Sequence, residues 1–159
     1  YYAAREEGEK LGFTVLPGAE VRFQKSPYGY NDFLIYGCEE EFFLSAPRLD
    51  KLRSLEELCA ILPDTACVVL AHPFRVKMTV MDPAPLFGIE AYNGLTEPFR
   101  NRMAEDYARH FGKPVTAGSD CHHPDHACKG GIETPHIIRT PRDLTDVLRS
   151  GEYTLYRGS

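Results

Sequence analysis

The chain has no apolar run approaching the ~18 residues a membrane span needs, and no signal-peptide pattern opens it. It has no basic excess: 18 Lys and Arg against 23 Asp and Glu give a formal charge of −5. Broad, non-specific nucleic-acid binding is therefore disfavoured, although a local phosphate site is not. It has no CxxC pair and no even cysteine framework. The five cysteines (Cys38, Cys59, Cys67, Cys121, Cys128) point to buried thiols in a reducing, cytoplasmic setting. Cys59 and Cys67, in apolar contexts, read as small core residues. No repeat, low-complexity tract or long linker is evident. What remains is ordinary globular composition, 43% hydrophobic and 26% charged over 159 residues. That composition suits a single domain with a real core spanning 1–159.

Helix and strand signals alternate. Ala3–Leu11 is helix-favouring and stops at Gly12. Phe13–Leu16 is a short apolar strand candidate, Ala19–Phe23 reads as extended, and Ser26–Tyr30 is a turn. Phe33–Tyr36 is a buried-strand pattern closed by Gly37. Ser54-Leu55-Glu56-Glu57 is a capping box that starts a helix running to about Leu62. Ala66–Ala71 and Gly88–Tyr92 are further strand candidates. Pro98–Phe111 is a long helix, with Phe99, Met103, Tyr107 and Phe111 four apart on one face, ended by Gly112. Pro114–Ala117 and Ile137–Ile138 are short strands. Thr140-Pro141-Arg142-Asp143 opens the last helix, Gly151 stops it, and Tyr153–Tyr156 is a final strand. The alternation predicts an α/β protein with a largely parallel sheet, open or closed.

Several strand ends carry a carboxylate or an imidazole. Glu20 follows Pro17-Gly18-Ala19, Asp32 precedes Phe33, and His72 follows Ala71. Glu90 lies in a strand that runs into Asn93, and Asp120 and His122 follow Gly118-Ser119. Such groups are costly to bury unpaired. A shared cation is one solution, and imidazole with carboxylate suits Zn, Mn or Fe. Each residue also has a plain alternative. His72 could be a structural hydrogen-bonder, Glu20 a surface turn residue, Asp32 an Asx-turn residue and Asp120 a helix cap. The set is stronger than its members because they recur at equivalent places in the alternation.

In order and context, Pro17-Gly18-Ala19-Glu20, Ala71-His72-Pro73, Gly88-Ile89-Glu90-Ala91-Tyr92-Asn93 and Gly118-Ser119-Asp120-Cys121-His122 resemble the PHP superfamily. That is the polymerase and histidinol phosphatase family of metal-dependent phosphoesterases. The resemblance implies a distorted seven-stranded (β/α) barrel with two or three divalent metal ions (Zn, Mn or Fe) at the strand C-terminal face. It implies that Glu20 bridges metals, that His72 is a later-strand ligand and that Asp120 and His122 form the closing ligand pair. Asp32 stands where many members have a histidine ligand, and a carboxylate there can also hold a hard cation. Glu90 and Asn93 resemble a strand that shapes the site. Arg75 could clamp a phosphate bidentately or form a surface salt bridge. Family members open with a His-x-His strand that does not occur here. With a barrel typically ~250 residues long, the chain is expected to be the later portion of one, its first strand absent.

The implied chemistry is hydrolysis of a phosphate ester. Cations lower the pKa of bound water to about 7, and the resulting hydroxide attacks phosphorus. The acidic balance favours a small phosphorylated substrate or a short oligonucleotide end over long duplexes. One alternative is a PHP-like domain without catalysis that serves in binding or regulation. Another is an amidohydrolase-type site, against which the Pro-Gly-x-Glu element and the lack of a suitable strand-end Lys both count. Cys121, His123, His126 and Cys128 could form a small zinc knot, but the spacing is cramped for tetrahedral closure. A loop beside the site is the simpler expectation. His110 reads as a structural or exposed helix residue and His136 as a turn hydrogen-bonder.

Overall fold

The computed structural model describes residues 1–45 and 48–158. Helix α1 (Tyr2–Leu11) ends at Gly12 in the left-handed conformation, as the Leu-Gly boundary predicts. Residues 13–18 then run without regular structure, and Phe13 is exposed. The expected strand there does not form.

Strands β1 (Ala19–Ser26) and β2 (Gly29–Tyr36) make an antiparallel hairpin over the Pro27-Tyr28 turn. The second strand starts four residues earlier than its apolar run. Asp32 therefore lies inside β2, not before it. Helix α2 (Glu40–Ser45) and a 3₁₀ turn (Leu49–Lys51) lead to α3 (Leu55–Ile61). The Ser54 hydroxyl accepts from the Glu57 N–H at 3.2 Å. The Glu57 carboxylate accepts from the Arg53 N–H, one residue short of a full capping box.

Strands β3 (Cys67–Leu70), β4 (Gly88–Asn93) and β5 (Val115–Gly118) complete one sheet in the order β1-β2-β3-β4-β5. Between β4 and β5 runs α4 (Pro98–Phe111). Strands β6 (Gly130–Glu133) and β7 (Thr154–Arg157) pair only with each other, with α5 (Pro141–Ser150) between them. The strand expected at Ile137–Ile138 is replaced by β6, and Ile137 is exposed. Thr140 and Asp143 form a complete capping box on α5.

The barrel expectation is overturned. Strand β2 is antiparallel to both β1 and β3, and only β3-β4 and β4-β5 are parallel. A (β/α) barrel closes through parallel neighbours all the way round. Here, among the described residues, no ladder joins β1 to β5. The molecule is a mixed α/β structure with a five-stranded and a two-stranded sheet.

The core lies on one face of the large sheet. Val21, Phe23, Phe33, Ile35, Val68, Leu70 and Ile89 meet Leu55 and Leu58 of α3 and Ala108 of α4. Cys67 is buried, whereas Cys59 is exposed on α3. Helix α4 also turns differently from its aromatic stripe. Asn101, Ala104 and Ala108 are its buried residues, while Phe99, Met103 and Phe111 are close to half exposed. Small residues let this helix lie close on β4, and Asn101 fixes the end of that strand. Its side chain accepts from the Asn93 N–H and donates to the Asn93 carbonyl, each at 3.1 Å. No helix among the described residues is long and apolar enough to cross a membrane.

Candidate metal centre

Side chains alternate across a strand, so Glu20, Arg22 and Asp32 face away from the core that holds Val21, Phe23 and Phe33. The hairpin register sets Arg22 directly opposite Asp32. Beside them, the Ala71 N–H donates to the Asp32 carbonyl at 2.9 Å, which brings the end of β3 against β2. The next residue is His72. Its Nε2 lies 3.4 Å from Glu20 Oε1 and 3.8 Å from Asp32 Oδ2.

One donor atom from each of Glu20, Asp32 and His72 therefore falls within 4.8 Å of the other two. Among the described residues no second His/Cys/Asp/Glu group of this kind occurs. In particular, Cys121, His123, His126 and Cys128 do not form one. The Cys121 Sγ instead contacts the His123 carbonyl at 3.3 Å.

The environment of the three donors is uneven. The Asp32 side chain is 1% exposed, His72 4% and Glu20 43%. Interaction with His72 holds the Glu20 carboxyl below its ordinary range, against the opposing effect of desolvation. His72 Nδ1 is buried with no hydrogen-bond partner, an exception among buried polar atoms. The nitrogen that faces the two carboxylates is Nε2, and two carboxylate oxygens with one imidazole nitrogen are a donor set that fits a divalent cation.

Asp32 is also held by Arg22 in a two-pronged ion pair. Nε donates to Oδ1 at 2.6 Å and Nη2 to Oδ2 at 2.8 Å. The Arg22 guanidinium in turn lies over the Tyr30 ring, 3.8 Å from its centroid. No local sequence motif marks Arg22. Its signal lies in the hairpin, since extending the pairing from Gln24–Tyr30 puts Arg22 across from Asp32.

A second polar group sits at the ends of β4 and β5. Glu90 is buried, and its Oε2 accepts from the His72 N–H at 2.7 Å and from the Asn93 amide at 3.1 Å. Burial pushes its carboxyl above the ordinary range, against those two donors. Gly118 of β5 gives Glu90 room, since a Cβ there would lie 2.6 Å from Glu90 Oε1. Asp120 takes the Arg75 guanidinium, which also donates to Asn93 Oδ1 at 3.1 Å and Thr96 Oγ1 at 3.3 Å. Burial alone would raise the Asp120 carboxyl, but Arg75, joined by His72 and Asn93, holds it below the ordinary range.

His122 is 67% exposed, with Nδ1 2.8 Å from the Asp120 carbonyl. The structure thus joins Glu20, Asp32 and His72 in one cluster and places Asp120 with Arg75 beside it. His122 flanks the second group, its Nδ1 also 3.4 Å from Asp120 Oδ1. His72 and Asp120 share one further property. Each follows a parallel strand within two residues, and each has positive φ, +27° and +53°. Non-glycine residues held there cost ~1 kcal/mol or more, and such strain clusters at functional sites. Open cavities of about 500 and 620 Å3 occur elsewhere, and none of the three clustered donors lines either.

Residues 98–153 match a protein-family model described as PHP-associated. The match supports a PHP-related protein, through the C-terminal associated segment and not the catalytic barrel. The matched span includes Asp120 and His122 but not Glu20, Asp32, His72 or Arg75. No curated protein matches the chain.

Proposed function

We propose that the chain contributes a divalent-cation site to a metal-dependent phosphoesterase of the PHP type. The convergence of Glu20, Asp32 and His72 within 4.8 Å carries this reading. Glu20 and Asp32 supply hard anionic oxygens and His72 a borderline nitrogen, a set suited to Zn, Mn or Fe. When bound, such ions neutralise phosphoryl oxygens and activate water for attack on phosphorus.

The chain's own residues do the positioning. Glu90 fixes the backbone of His72 through the His72 N–H. Asn93 joins Glu90 to Arg75, so the two polar groups are mechanically continuous. Asp120 and His122 are the pair through which a further cation would be held. Arg75, once free of Asp120, offers a guanidinium fork that matches a phosphate. The substrate class in this reading is a small phosphate ester or a short oligonucleotide end. A reducing, cytoplasmic setting belongs to the same reading and draws on five free thiols.

A second reading is favoured by one observation. Arg22 and Arg75 already neutralise Asp32 and Asp120, as they would in a PHP-like binding or regulatory domain that works without metal. One experiment separates the two. The full chain is assayed for metal content and for hydrolysis of a generic phosphate monoester, with and without chelator. Bound metal with chelator-sensitive turnover supports the phosphoesterase. Neither metal nor turnover supports the binding domain.

A further inference from the structure

The two roles that Asp32 would play meet on a single atom. Oδ2 is the oxygen that faces His72 Nε2, 3.8 Å away, and it is also the oxygen that accepts from Arg22 Nη2 at 2.8 Å. A divalent ion taking Oδ2 must therefore share it with a guanidinium N–H or displace that group. Two cations at one oxygen repel strongly in a partly buried setting. The two partners differ in freedom to move. Asp32 is 1% exposed, lies within β2 and cannot leave. Arg22 is 58% exposed, and its guanidinium can pass into water with little loss of solvation.

We propose that Arg22 is a resident surrogate cation that exchanges with the metal. It neutralises the buried Asp32 carboxylate when no ion is present and gives up Oδ2 when an ion binds. Arg22 thereby sets the affinity of the site and keeps its metal-free form folded. This proposal rests on Glu20, Asp32 and His72 being a cation site. The opposite role is equally definite, because an arginine that orients Asp32 as a ligand would strengthen metal binding. The sign of one measurement separates them.

Mn2+ alone is titrated calorimetrically into the full chain, as wild type, Arg22→Gln and Arg22→Lys. Removing the competing charge is expected to tighten Mn2+ binding about tenfold or more in Arg22→Gln. Arg22→Lys keeps the charge but loses the two-pronged geometry, so a smaller tightening is expected there. The rise in unfolding midpoint on adding Mn2+ is expected to be larger for Arg22→Gln than for wild type. Unchanged or weaker Mn2+ binding in Arg22→Gln, with binding intact in wild type, overturns the exchange and leaves the metal site standing. No Mn2+ binding in wild type overturns the site and the exchange with it. Should Arg22→Gln fail to fold, Arg22→Lys decides the matter: unchanged or weaker binding there overturns the exchange.

Discussion

The Arg22–Asp32 ion pair spans two environments, so cutting it from either end should have unequal consequences. Arg22→Gln strands a carboxylate that is 1% exposed, while Asp32→Asn strands a guanidinium that is 58% exposed and readily rehydrated. Removing one partner of a buried ion pair costs about 3–5 kcal/mol. Arg22→Gln should fall near the lower end, about 3 kcal/mol, because the pair is partly solvated and the Gln amide can still donate one hydrogen bond. Asp32→Asn loses charge-assisted hydrogen bonds without burying a charge and should cost about 1–2 kcal/mol. The difference, about 1–2 kcal/mol, corresponds to about 0.5–1 M in urea midpoint at the slopes usual for a chain of this size. The assay is urea unfolding of the full chain at pH 7 in chelator. Added Mn2+ should then raise the midpoint of Arg22→Gln and leave that of Asp32→Asn in place. Equal losses, or a greater loss in Asp32→Asn, would refute the idea that burial of Asp32 controls this site.

Two further outcomes follow from the polar groups at the ends of β4 and β5. Arg75 holds the Asp120 carboxyl below its ordinary 3.8, so the pair contributes stability above that value and loses it as pH falls through the lowered folded value. Arg75→Gln should abolish this acid-side contribution, and NMR titration should find the Asp120 carboxyl raised. An unmoved carboxyl would contradict the pairing. The Glu90 carboxyl is raised by burial, so its ionisation works against folding as pH rises past the ordinary carboxylate value of 4.5. Glu90→Gln, which keeps an acceptor for the His72 N–H, should be neutral or stabilising at pH 7, with the benefit shrinking toward pH 4. A stability loss at pH 7 that fades in acid, where wild-type Glu90 is also neutral, would show that Glu90 acts as a required anion.

Structure is legible in the sequence where a few neighbouring residues decide the outcome. Gly12, Gly112 and Gly151 end helices in the left-handed conformation. Thr140-Pro141-Arg142-Asp143 caps α5, and Pro98–Phe111 is helical throughout. Properties set by distant neighbours were not legible. Short apolar runs do not reveal strand direction, so the reversal at Pro27-Tyr28 looked like a turn within a parallel alternation. The hairpin makes β2 antiparallel to β1, the connection through α2 and α3 sets β3 antiparallel to β2 as well, and the two reversals remove the barrel. The stripe from Phe99 to Phe111 has helical spacing, yet close approach to β4 favours the face with Ala104 and Ala108. Glu20, Asp32 and His72 were candidates from strand-end chemistry alone, and the structure brings them together. Arg22 carries no local signal because it pairs with Asp32 only through hairpin register. His122 meets Asp120, its Nδ1 3.4 Å from Oδ1 and 2.8 Å from the carbonyl, although positive φ at Asp120 replaces the extended geometry that i, i+2 alignment assumes.

The central claim is that Glu20, Asp32 and His72 together hold a divalent cation. The most direct measurement is bound metal per chain after equilibrium dialysis against Mn2+ or Zn2+, for wild type and His72→Ala side by side. His72 supplies the only nitrogen of the cluster, and its backbone N–H remains to satisfy Glu90 after truncation. We predict stoichiometric metal in wild type and its loss in a folded His72→Ala chain. Equal metal in the two proteins, or none in wild type, would contradict the account.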